Sequence, residues 1–240
     1  MNKKGKFIVI EGLDGSGKST QTKLLEKRLK EEGYKVERID FPQYGKKSAG
    51  LVEEYLNGKY GSAKEVGPYR ASIFYACDRY NAGFKIKEWL REGKIVISDR
   101  YTASNAGHQG GKIKEKKERE KFFKWLFDLE YGIFEIPKPD IILFLKTSAD
   151  FSLKLSSKIT DKEKKQKKML YLGKKKRDIH EKDKKHLVFA LSSYLQFGKK
   201  FKKEFKIIEC LENGKLLSIE EIHKYILNAI KKAYFRKITI

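Results

Sequence analysis

The stretch Phe7–Thr20, FIVIEGLDGSGKST, decides how the rest of the chain is read. Phe7, Ile8, Val9 and Ile10 form a short apolar run, the composition of a strand buried on both faces of a parallel sheet. Behind it, Gly12, Gly17, Lys18 and Ser19 satisfy G-x-x-x-x-G-K-[ST], and the chain turns helical from Ser19 to Leu25. Strand, glycine loop and helix in that order is the context a phosphate-cradling P-loop requires. An ordinary glycine-rich turn is the plain alternative, and the two flanks argue against it. Gly12, Gly15 and Gly17 accept backbone angles that a Cβ resists, so successive N–H groups can turn inward onto phosphate oxygens. The helix N-terminus adds about half a positive charge behind them. Gly12, Gly15, Ser16, Gly17, Lys18, Ser19 and Thr20 are therefore the expected phosphate-binding set. Lys18 can reach the β- and γ-phosphates, and the Ser19 hydroxyl suits Mg²⁺.

Length and composition narrow the rest. A chain of 240 residues is expected to form one α/β domain with a core that needs no disulfide or metal. No run of 18 apolar residues offers a membrane span. The N-terminus passes from two lysines straight into the first strand, without the apolar stretch of a secretory signal, so a cytoplasmic protein is expected. Cys77 and Cys210 match no zinc or redox spacing and are read as reduced thiols. The net charge of +23, from 55 Lys/Arg against 32 Asp/Glu, raises a nucleic-acid binder as a rival. The excess is lysine scattered over helix faces, however, and aromatics are not interleaved with arginines as a stacking groove requires. The charge suits polyanionic small molecules equally well.

Taken in order, the chain predicts a helix ending at Gly33, a strand at Val36–Phe41, a short helix at Ser48–Asn57 and a long one from Pro68 to about Glu92. A strand at Lys94–Ser98 then delivers Asp99-Arg100-Tyr101 at its C-terminal end, the edge where open parallel sheets bind ligands. A glycine-rich bend at Gly107–Gly111 leads to a helix over about Glu115–Tyr131. A strand follows at Ile141–Leu145 and a helix from Ser148. Further on come a helix at Leu187–Phe201, a strand at Phe205–Cys210 and a last helix at Ser218–Tyr234, where Ser218 and Glu221 form a capping-box pattern. Lys158–Lys185 holds 13 Lys/Arg and 5 Asp/Glu. It reads either as a solvated loop or as a lid closing over phosphate charge.

Among P-loop proteins, a switch GTPase would carry N-K-x-D after a strand, and this chain has none. A motor ATPase ends a strand in an acidic pair, whereas the third strand here ends in Asp99-Arg100. An acid beside an arginine fits a site that holds Mg²⁺ and clamps a second phosphate, which points to a kinase with a phosphorylated acceptor. At this point the chain resembles the thymidylate kinase family, in motif order from about Phe7 to Ile230. The pieces are the glycine loop, FPQYG (Phe41–Gly45), FYACDR (Phe74–Arg79), SDRYTASN (Ser98–Asn105), PKPD (Pro137–Asp140) and RDIHE (Arg177–Glu181). The resemblance implies an α/β P-loop NTPase fold, a five-stranded parallel sheet with helices on both faces. It further implies transfer of the ATP γ-phosphate to dTMP, Mg²⁺, and a homodimer formed through packed helices.

Residue roles follow from the same resemblance. Lys18, Arg100, Asp14 and Arg177 are the expected catalytic residues, Arg100 bridging donor and acceptor phosphates. Ser19, Asp99, Asp14 and Glu181 stand on the metal side. For dTMP the set is Asp14, Phe41, Tyr44, Tyr75, Arg79, Arg100, Asn105, His108 and Gln109. Tyr75, where phenylalanine is commoner, would stack on the base, with Phe74 in the core. Arg79, four residues on and on the same helix face, would grip the acceptor. His108 falls where an aromatic ring often faces the ribose 2′ position. Because the glycine loop carries Gly15-Ser16 and no arginine, the lid must supply the transition-state cation. Arg177, beside Lys174, Lys175 and Lys176, is the candidate. Neither a specific nucleic acid nor a membrane is an expected partner. A related kinase for another nucleoside monophosphate or a deoxynucleoside is the nearest alternative, and the basic nucleic-acid binder is the one from another class.

Overall fold

The structure is a computed structural model, and it describes residues 5–156 and 184–234. The strands are β1 (Lys6–Gly12), β2 (Val36–Asp40), β3 (Ile95–Asp99), β4 (Ile141–Lys146) and β5 (Phe205–Glu209), all parallel, in the order β2-β3-β1-β4-β5. The chain leaves β1 toward one edge, returns to β3 and then crosses to β4 on the far side. The crevice at the C-terminal end of β1 is thus the topological switch point, where such sheets bind ligands. Register fixes its composition: Ile10 lies opposite both Asp99 and Leu143, so the glycine loop and Asp99-Arg100 emerge at one rim.

Alternation along β1 sends its side chains to two cores. Phe7 and Val9 join Tyr101, Phe122, Phe123, Phe144, Tyr194 and Phe197 on one face. Ile8 and Ile10 join Leu25, Leu29, Ile97, Leu143 and Ile226 on the other. Helix α1 (Lys18–Glu31) and the C-terminal helix α8 (Ile219–Tyr234) cover the second face. The first face is covered by α3 (Ala63–Arg91), α4 (Thr102–His108), α5 (Lys116–Phe127) and α7 (Lys184–Lys200). Helices α2 (Gly50–Leu56) and α6 (Ala149–Ser156) complete the set among the described residues.

Several boundaries differ from the sequence reading, each for a local reason. Helix α3 begins one turn before Pro68, because Ser62 and Glu65 form a reciprocal capping box. Gly67 then breaks the helical path with φ 74° and ψ 169°, and Pro68 opens the long straight part. The helix after the glycine bend runs as α5 only to Phe127 and continues as a wider π-turn over Asp128–Ile133. Helix α4 was not expected at all. A small hairpin pairs Leu211–Glu212 (β6) with Lys215–Leu216 (β7) around Asn213-Gly214, both at positive φ. The expected capping box of the last helix is present, Ser218 Oγ accepting from Glu221 N and Glu221 Oε2 from Ser218 N. No helix among the described residues is long and apolar enough to cross a membrane. The proposed lid, with Arg177 and Glu181, lies almost wholly outside the described residues.

Candidate active site

The glycine loop has the backbone its sequence requires. Gly12, Gly15 and Gly17 adopt φ 155°, 80° and 87°. A Cβ on Gly12 would overlap the Ser16 hydroxyl and lie 3.0 Å from the Leu145 carbonyl, so the loop is seated tightly on the end of β4. Gly17 caps α1 in the left-handed conformation. Lys18 is buried and folds back across the loop, Nζ donating to the Leu13 carbonyl at 2.7 Å. Ser19 sits in the first turn of α1, and the buried Asp99 ends β3 at the same rim. Hydroxyl and carboxylate oxygens are the hard donors Mg²⁺ takes, and it commonly uses one or two from the protein with substrate phosphates supplying others. No group of three or more His, Cys, Asp or Glu forms a metal cage among the described residues.

Arg100 is the pivot of the rim. It carries φ 71°, a left-handed conformation that a side chain with a Cβ resists by roughly 1–2 kcal/mol. In that conformation its guanidinium turns toward the glycine loop: Nη2 donates to Asp14 Oδ1 at 2.5 Å, and Nη1 donates to Ser104 Oγ at 3.2 Å. Burial opposes its charge, but Asp14, Tyr194, Glu11 and Asp99 more than offset this, and the arginine is held firmly protonated. Nη1 also meets His108 Nε2 at 3.2 Å, and His108 Nδ1 meets His186 Nε2 at 3.3 Å. Arginine can only donate, so His108 accepts through Nε2 and donates through Nδ1 to His186. Burial first, then the Arg100 charge, hold His108 well below the usual imidazole range, in keeping with that neutral form.

Arg79 lies on α3 but is only 2% exposed, and its Nε and Nη2 donate to the two oxygens of Glu130 at 2.6 and 2.7 Å. Glu130 also accepts from Thr102 Oγ1 at 3.0 Å. The Arg79 charge thus has a buried counter-ion in Glu130. Phe41 is buried in the core with its ring tilted against Tyr101 at 5.6 Å. Tyr75 is half-buried and meets Tyr55 edge-on at 6.3 Å. Phe74 is half-buried too and packs on the core cluster of Val52, Tyr55, Leu56, Val66 and Ala71, touching Tyr55 and Tyr60. Tyr44 packs on the same small cluster. Asn105 donates to the Ser72 carbonyl at 3.1 Å, and Gln109 accepts from Lys112 at 2.6 Å. Hydrogen bonds thus link Asp14, Arg100 and His108 at the rim that Lys18 and Asp99 share, while Phe41, Tyr44, Tyr75, Arg79, Asn105 and Gln109 are engaged with other residues.

Four residues that the sequence reading passed over organise this arrangement. Glu11 is fully buried at the end of β1 and accepts from Tyr101 N, Ser104 Oγ and Tyr194 OH. Burial raises its pKa, with the Arg100 charge and those hydrogen bonds opposing. Asp78, beside Arg79, accepts from Gln43 N at 2.8 Å and Ser48 Oγ at 2.7 Å, tying the FPQYG loop to α3. Burial raises this carboxyl as well. Glu130 and Tyr194 complete the set. The available signal was a carboxylate inside an apolar run, which must find donors when buried.

A glycine loop on the central parallel strand, with an acid and an arginine on the neighbouring strand at the same rim, defines a P-loop phosphotransferase. The thymidylate kinase family model matches residues 10–226. The chain belongs to the thymidylate kinase family and is an enzyme of the kinase class. It is 33% identical over 147 residues to thymidylate kinase of Mycobacterium tuberculosis strain H37Rv, covering 61% of this chain and 68% of that one. The human thymidylate kinase is 31% identical over 145 residues, covering 60% and 62%. A probable thymidylate kinase of Thermococcus kodakarensis is 32% identical over 234 residues, covering 94% and 97%. The solved thymidylate kinase of Candida albicans shares the fold with a TM-score of 0.68, at 22% identity over 99% of this chain and 96% of that one.

Proposed function

We propose that this chain transfers the γ-phosphate of ATP to dTMP, giving dTDP and ADP, with Arg100 clamping the acceptor phosphate beside the glycine loop. The observation that carries this reading is the left-handed Arg100 turned from the end of β3 onto Asp14. In this reading donor and acceptor phosphates meet beside that guanidinium. The acceptor oxygen is ionised near neutral pH, so the chemistry calls for no strong general base. The obstacle is repulsion between two polyanions, and fixed cations with oriented N–H groups overcome it by positioning and electrostatics.

In this reading Lys18 leaves the Leu13 carbonyl for the donor phosphates, and the N–H groups from Gly15 to Thr20 hold their oxygens. Arg100 exchanges Asp14 for the acceptor phosphate, and Asp14 is then available to the sugar or metal side. Ser19 and Asp99 would hold Mg²⁺, which neutralises charge on the donor phosphates when bound. Tyr75 offers a face to the base, and Asn105 and Gln109 offer amides to it. Arg79, oriented by Glu130, serves the acceptor from α3. Arg177 remains the candidate transition-state cation and Glu181 a metal-side candidate from the lysine-rich segment, both outside the described residues. We place the activity in the cytoplasm. A homodimer is part of the same reading: Tyr69, Ile73, Tyr80 and Phe84 recur along α3 at helical spacing and are exposed, Phe84 at 60%.

The test is ADP release measured across dTMP, dUMP, dCMP, UMP and AMP. Clear preference for dTMP is expected; equal rates across the panel would end the proposal.

A further inference from the structure

Arg100 is strained, and every backbone group around the strain is held. Its N–H donates to the Ile10 carbonyl at 3.0 Å, and its own carbonyl accepts from Ser98 Oγ at 2.6 Å. The next N–H, that of Tyr101, donates to Glu11 Oε1 at 2.8 Å. Unfavourable backbone conformations persist only when the surroundings over-determine them in this way. Glu11 is thereby engaged on one oxygen, and its other oxygen accepts from Ser104 Oγ at 2.7 Å and from Tyr194 OH at 3.0 Å. Ser104 is also a partner of the Arg100 guanidinium. Backbone and side chain of Arg100 therefore both lead to one buried carboxylate.

The third donor comes from far along the chain. Tyr194 lies 183 residues after Glu11, on α7, and its ring crosses α4 directly over Gly107. A Cβ at position 107 would overlap that ring, so the glycine is what lets the phenol reach Glu11. Two turns earlier on α7, His186 stacks on His108, the imidazole that meets the Arg100 guanidinium. We infer that Glu11 and Tyr194 are positioning residues that hold Arg100 in its left-handed conformation, making the seating of α7 part of the acceptor clamp. This rests on the reading of Arg100 given under the proposed function. It extends that reading to a helix that follows the lysine-rich segment directly, so that movement of α7 would loosen or tighten the arginine.

Tyr194→Phe is the sharpest test, because it keeps the ring over Gly107 and removes only the hydroxyl. The expected result is a fall in kcat of about tenfold, the worth of a hydrogen bond to a charged group, with KM for ATP unchanged and the melting temperature lowered by only several degrees. Glu11→Gln is expected to cost about a hundredfold through displacement of the clamp. The titratable groups facing Glu11 among the described residues are Arg100 from the end of β3, Tyr194 from α7 and Tyr131 from the turn after α5. Loss of one donor to the carboxylate favours its protonated form, so in Tyr194→Phe the acidic limb of the kcat–pH profile moves to higher pH. A merely structural tyrosine would leave that limb in place. Wild-type kcat and an unshifted limb in Tyr194→Phe, in a protein whose Arg100→Ala variant is inactive, would overturn the inference alone. Full activity in Arg100→Ala would overturn the clamp itself and the inference with it. If Glu11→Gln does not fold, Tyr194→Phe decides the matter unaided.

Discussion

Arg79 and Arg100 occupy opposite electrostatic situations. Arg79 is buried, its side chain 2% exposed, and bound by two hydrogen bonds to the fully buried Glu130. Arg100 reaches the rim, its side chain 16% exposed, and its carboxylate partner Asp14 is 57% exposed. A buried pair cannot exchange its partner without stranding a charge in low dielectric. The Arg100–Asp14 pair opens to solvent on its Asp14 side, so screening weakens it toward the about 0–1 kcal/mol of a surface pair and lets a phosphate carrying more charge displace it. Under the proposed function this contrast makes the first arginine a strut and the second the clamp. Residue type alone does not distinguish them; the burial of the counter-ion does.

The largest effect separating the two is catalytic. Arg100→Ala should lower kcat/KM for dTMP by about 10³ or more, in line with losses on removing an arginine that stabilises phosphoryl transfer, with little change in melting temperature. A stability loss matching the activity loss would make Arg100 a strut as well. Glu130→Ala should do the reverse first, destabilising the fold by about 3–5 kcal/mol by leaving the Arg79 charge unpaired. At about 2–4 °C per kcal/mol for a chain of this size, calorimetry reads this directly. An unchanged melting temperature would dissolve the contrast.

Lys112 supplies a third kind of cation, whose partners are the Tyr55 hydroxyl and the Gln109 carbonyl oxygen. Burial pushes it down to about 7 from 10.5. Between those values the unfolded chain binds the proton and the folded one releases it, so this residue's contribution to stability rises with pH over that window. Lys112→Met should therefore compare best with the wild type near pH 7 and lose that advantage toward pH 10.5 in denaturant titrations; a difference independent of pH would contradict the assignment. The smallest effect belongs to Asp14→Asn. It should move stability by less than about 1 kcal/mol while altering KM for dTMP several-fold, and a melting shift of many degrees would mean that the rim pair is structural after all.

What was legible in the sequence is what is local. The glycine loop, Asp99-Arg100 and the apolar strands each declare themselves within a few residues, and the register of β1 with β3 then brings them together. Arg79 could be placed on the Tyr75 face of its helix, but its partner Glu130 stands 51 residues away in a π-turn that no periodicity announces. Glu11 was passed over because it stands between a strand and a glycine loop and reads as part of the turn, although its burial demands partners. Tyr194 looks like any core aromatic of an amphipathic helix. Two local signals were simply missed, the Ser62–Glu65 cap and the Asn213-Gly214 hairpin.

Gly107, Gly110 and Gly111 meet Tyr194, Ser193 and the Ala190 backbone with no side chain between them. The thickness of the molecule is set there by hydrogen atoms alone. A single methyl group on that strip would act as a shim, lifting the late helix away from the sheet while every residue of the nucleotide loop kept its identity. Such an enzyme could lose its grip on one substrate through a change that touches neither.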